Sequence, residues 1–171
     1  MKFLQTGLLI VVLALSHPVC GQEVNDLDTV RELASAGDWE AALEAADGLI
    51  AADPENIQAR FFKGLLLLEY GDTVRAQETF TEIARLFPRL PEAFNNLAAI
   101  YAMDGEYEKA RQALLSAVAN APDYAVARSN LGDLYVKLAT DAYRKAAELD
   151  PEDPGNAAKL QLLEQMFAAG G

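Results

Sequence analysis

The chain has 171 residues, 51% of them apolar, which is enough for one ordinary domain with a packed core. Its 26 Asp and Glu outweigh 14 Lys and Arg, for a formal net charge of −12. A surface this acidic repels phosphate backbones and anionic lipid headgroups and favours solubility, so nucleic acid is not an expected partner.

The segment 1–21 stands apart. Lys2 gives a basic start, Phe3 to Ser16 is apolar except for Gln5, Thr6 and Gly7, and Pro18 breaks the run. The run falls short of the about 20 apolar residues a membrane span needs. Its layout predicts a signal peptide cut after Gly21, with Val19 and Gly21 as the small residues at the cleavage site. A retained anchor is the alternative. Lipoprotein anchoring at Cys20 is disfavoured, because His17, Pro18 and Val19 do not supply the aliphatic and then small residues that such processing needs. Cleavage after Gly21 leaves no Cys and no His and removes Lys2, so 26 acids face 13 bases, a formal charge of −13. The expected location is periplasmic or secreted, with no direct membrane insertion once the signal is gone.

Downstream, the chain repeats itself with a period of 34. Gly37, Gly71 and Gly105 share this spacing, as do Trp39, Thr73 and Tyr107, then Ala42, Ala76 and Ala110, then Pro54, Pro88 and Pro122. A fixed period of this length signals stacked units, each too small to bury its apolar face alone. In the third unit Phe94, Leu97, Ala98 and Tyr101 form one helical stripe, Asp104 and Gly105 interrupt it, and Tyr107, Ala110, Leu114 and Ala117 form a second. Glycine accepts the left-handed backbone of a helix end. Proline then closes the unit.

Together with Gly64, Ala98 and Gly132, with Leu67, Tyr101 and Tyr135, and with Phe80 and Leu114, these columns resemble the tetratricopeptide repeat family. The first unit departs from the pattern at Thr29 and Val30, and the second at Arg60 and Lys63, whose charged ends are expected in water. The resemblance implies an all-α, right-handed αα-superhelix over 22–155, with repeats at about 23–56, 57–90, 91–124 and 125–153. Residues 156–171 are expected to form a capping helix and tail, with Leu160, Leu163 and Phe167 on one stripe.

The fourth repeat lacks its turn. Pro151 follows Pro122 five positions too early for the period, and nothing from Asp133 to Leu149 is Gly, Pro or Asn. Leu131, Tyr135, Leu138, Ala142 and Leu149 lie on one stripe, which predicts a single helix from about Val126 to Leu149, roughly 35 Å long. A tight turn at Thr140 and Asp141 is the alternative. With one long helix, the face carrying Ala139, Tyr143, Ala146 and Leu149 needs cover from the terminal helix, another domain or a second copy. A swapped homodimer is one expected outcome.

Catalysis finds little support, because the processed chain lacks the commonest nucleophile, base and metal-ligand types. Acids such as Glu40, Glu44, Glu106 and Glu108 fall in turns and on helix surfaces, and no glycine-rich phosphate loop precedes a helix. No cofactor or metal is expected. The resemblance implies instead a concave groove, lined by the first helix of each repeat, that holds a peptide or helix of a protein partner. Its columns fall on Leu27 and Arg31, on Phe61, Leu65, Leu68 and Glu69, on Asn95, Ala99 and Met103, and on Ser129, Asp133 and Lys137. Phe61, Leu65 and Leu68 are expected to form an exposed apolar strip. Related domains that clamp a C-terminal carboxylate do so with basic and amide side chains, whereas Leu27, Phe62 and Glu92 occupy those columns here. The expected function is thus a non-catalytic exported adaptor of envelope assembly. The alternatives are a self-assembly module built on the long helix, or an accessory to a cell-wall enzyme system.

Overall fold

A computed structural model describes residues 23–169, with side chains from Leu27 to Gln165. The segment expected to be a signal peptide lies outside the described residues. Eight helices follow one another, with no strand among the described residues: α1 (Glu23–Ser35), α2 (Trp39–Ala52), α3 (Ile57–Tyr70), α4 (Thr73–Leu86), α5 (Pro91–Met103), α6 (Tyr107–Asn120), α7 (Ala125–Leu149) and α8 (Pro154–Ala169). Each helix packs on its neighbours in sequence, the all-α superhelical arrangement.

The turn inside each of the first three repeats is set by backbone chemistry. Gly37, Gly71 and Gly105 have φ of 80°, 91° and 76°, where an L side chain is strained. The next residue's amide reaches back over the helix end, Asp38 to the Leu33 carbonyl, Asp72 to Leu67 and Glu106 to Tyr101, at 3.0, 2.8 and 2.8 Å. Asp38 and Asp72 then accept from the amides of Ala41 and Arg75 and start the second helix. Between repeats the proline sits in a tight turn that recurs at the same spacing, as Asn56, Leu90 and Tyr124 donate to Asp53, Phe87 and Ala121, each at 3.0 Å.

Packing inside each of the first three repeats depends on two columns whose sizes offset each other. A Cβ on Gly64 would stand 2.7 Å from Cζ of Phe80, so the α3 backbone and the α4 ring are in direct contact. The third repeat places Ala98 and Leu114 in those columns, and the first places Val30 and Ala46, all fully buried or nearly so. The Val30 departure is therefore balanced by a small partner column rather than left as a flaw. The expectation that Arg60 and Lys63 hold their charges in water is corrected: both are mostly buried and paired. Arg60 reaches Glu82 on α4 at 3.3 Å and the Pro54 carbonyl at 2.9 Å, while Lys63 pairs with Asp47 on α2.

The fourth repeat continues as one helix of 25 residues, about 37 Å long. The alternative turn at Thr140 is not formed: its hydroxyl donates to the Val136 carbonyl at 2.8 Å, a bond made within a continuing helix. α8 folds back along the second half of α7, placing Lys159 over the Tyr143 ring at 5.1 Å and Glu164 3.5 Å from Arg144. It begins two residues before the expected start. Leu160 and Leu163 are half-buried, and Phe167 lies outside the described side chains.

Candidate functional site

The first helices of the repeats, α1, α3, α5 and α7, carry the residues expected to line the groove. At the α1–α3 junction Arg31, ion-paired to Asp28 at 2.7 Å, lies 5.3 Å from the centre of the Phe62 ring. At the α5–α7 junction Asn130 donates to the Asn95 side-chain carbonyl at 2.8 Å, and both residues are buried. The sequence does not single out Phe62 or Asn130 as contacts between first helices. Their only signal is a shared place in the repeat, one residue after Phe61 and Ser129.

The expected apolar strip does not reach the surface. Phe61 is 2% and Leu65 7% exposed, and Phe61 meets Phe80 edge to face with ring centres 5.3 Å apart. Both therefore belong to the core, as do Leu27, Asn95 and Ala99. A helix packed on both flanks and from behind has little free surface, and the columns nearest the neighbouring first helix are covered before a ligand could reach them. What remains open is Arg31, Glu69, Met103, Ser129 and Asp133, with Leu68 and Lys137 half-buried. The correction is from an apolar groove to a mixed and mainly polar face.

Its electrostatics are uneven. Arg31 is engaged by Asp28, and Lys137 by Asp141 at 2.6 Å and by the Tyr107 ring at 5.2 Å. Glu69 and Asp133 are exposed and have no ion-pair partner among the described residues. At the start of α5 the buried Glu92 Oε2, Asn95 Nδ2 and Asn96 Oδ1, and the nearby Tyr124 hydroxyl, lack a hydrogen-bond partner among the described residues. Burial, reinforced by the Glu92 charge, pushes the Tyr124 phenol up to about 12. Among the described residues no three or more His, Cys, Asp or Glu gather as for a metal ion, and no helix is long and apolar enough to cross a membrane.

Known proteins share this architecture. The family profile described as tetratricopeptide repeat matches residues 27–76 and 63–125. A structure of MamA from Desulfovibrio magneticus RS-1 is 24% identical, with 82% of this chain and 75% of that one covered at a TM-score of 0.57. PcrH from Pseudomonas aeruginosa is 18% identical over 72% of this chain and 99% of its own, at a TM-score of 0.60. The second repeat domain of human RPAP3, solved with the HSP70 peptide SGPTIEEVD, is 20% identical over 66% and 93%, at a TM-score of 0.57. At these identities the likeness is one of fold.

Proposed function

Because the chain belongs to the tetratricopeptide repeat family, we propose that it is a non-catalytic, exported adaptor. It holds a peptide or helix of a protein partner against the open face of α1, α3, α5 and α7, in the assembly of a bacterial envelope. The observation that carries this reading is the pattern of spent and unspent charge on that face. Its two cations are already engaged within the chain, whereas Glu69 and Asp133 are exposed without an ion-pair partner among the described residues. A segment with basic side chains and free backbone amides complements such a face, and Met103 and Leu68 offer it apolar contact. The RPAP3 domain seen with a bound peptide supports a peptide as the class of ligand. Export rests on the composition of residues 1–21.

Affinity capture from an envelope extract tests the site, with the parent protein beside a Glu69→Lys, Asp133→Lys variant of equal helicity. The expected result is a protein retained by the parent and lost by the variant. Equal recovery by both baits would exclude this face. Sequencing the exported protein tests processing, with Gln22 expected as its first residue. A second reading, self-association through α7, is favoured by the open face around Gly132.

A further inference from the structure

Each earlier repeat covers its first helix with its second, and α7 alone lacks that cover over its middle. A Cβ on Gly64 would meet Phe80 at 2.7 Å, whereas a Cβ on Gly132, in the same column, would meet nothing within 4 Å. Leu67 is fully buried in the next column, whereas Tyr135 leaves 46% of its surface exposed. The open strip continues down the helix. Gly132, Tyr135, Ala139, Ala142, Ala146 and Leu149 follow at alternating spacings of three and four, Ala139 and Ala146 half-buried and the others exposed, Leu149 to 75%. This is the spacing of a two-helix seam. α8 packs instead on the side of α7 that carries Tyr143 and Arg144.

We propose that this strip is the contact surface for a second copy of the chain, the two α7 helices lying antiparallel about a two-fold axis between Thr140 and Asp141. Two observations select a second copy as the occupant. The first is size. A two-fold interface must complement itself, and in this register Gly132 faces Leu149 of the other copy, Tyr135 faces Ala146, and Ala139 faces Ala142. Each large side chain meets a small one, twice over. The second is charge. The chain carries 26 acids, yet no seam residue is charged. The helical positions flanking the seam, Leu131, Val136, Leu138, Tyr143 and Lys145, hold a single charge, that of Lys145, which Glu148 pairs at 3.1 Å; the first acid of the flank is Asp150, at the end of the helix. Two acidic molecules can approach there with the least repulsion. In the dimer, Ala139 to Leu149 of each copy lies over Gly132 to Ala142 of the other. Each copy thereby supplies the second helix that the other's fourth repeat lacks.

Protein purified from cells expressing the full chain is measured by sedimentation velocity from low to high micromolar concentration, beside Ala142→Glu. Ala142 is exposed, so the substitution leaves the helicity of the separate chain unchanged. The expected result is a reversible dimer whose dissociation constant rises roughly tenfold or more in the variant. Mixing Gly132→Cys with Leu149→Cys under oxidising conditions fixes the direction. A disulfide joining the two variants to each other is expected, identified by peptide mapping. A parent that stays monomeric at high micromolar concentration, a dimer unaffected by Ala142→Glu, or disulfides formed only within each variant population would each overturn the proposal.

Discussion

Gly64 and Phe80 are in such close contact that the glycine position has no room for even a methyl group: its Cβ would lie 2.7 Å from the ring edge. Gly64→Ala is therefore expected to destabilise the protein. Overpacking costs about 1–3 kcal/mol, and the gain in helix propensity offsets up to about 1 of that. Adding Phe80→Leu recreates the Ala98 and Leu114 pairing of the third repeat and is expected to recover most of the loss. A double-mutant cycle in urea measures the coupling. Additive effects would mean that the two columns are not jointly sized.

The Tyr124 phenol is expected to ionise late. Its folded value of about 12 stands above its ordinary 10.0, so the folded state retains this proton more firmly than the unfolded chain does. Its contribution to stability is intact below pH 10 and is lost as pH rises toward 12. An ultraviolet pH titration should show a late phase that Tyr124→Phe removes. The same substitution deletes a buried hydroxyl without a partner, so at neutral pH it is expected to be neutral or to stabilise by about 1 kcal/mol.

The open face and the core beneath it should separate cleanly in mutagenesis. Phe61→Ala is expected to cost about 3–5 kcal/mol, because a side chain 2% exposed leaves a cavity beside Phe80. Glu69→Lys should shift stability by no more than about 0.5 kcal/mol, while weakening partner capture. Urea midpoints and capture yields, measured on the same preparations, compare the two effects.

Restoring the missing turn should change the shape of the molecule. Inserting a copy of residues 105–109 between Leu138 and Ala139 returns the fourth repeat to the period of the others. The second half of α7 is then expected to fold back over Gly132, with a smaller hydrodynamic radius and no association through the strip. Small-angle scattering and sedimentation measure both, and an unchanged radius would show that α7 continues through the insertion.

The sequence by itself determined the period, the paired helices and the glycines that end the first helix of three repeats, and it favoured an unbroken α7 over a turn at Thr140 and Asp141. Each of these depends on residues close together in the chain. A glycine before an acid stops one helix and starts the next, and the run from Asp133 to Leu149, free of Gly, Pro and Asn, does neither. The tertiary structure alone decided which side of each first helix stays open. Phe61 and Leu65 occupy columns that face a groove in outline, yet the rings and helices beside them take up the space. Arg60 and Lys63 look solvent-bound in their own helix, but Glu82 and Asp47 wait on the helices either side. Asn95 and Asn130 are 35 positions apart, and neither reveals the other. A repeat pattern encodes which residues turn inward along one helix. How much room is left depends on the volumes and charges of neighbouring helices, and these meet only after folding.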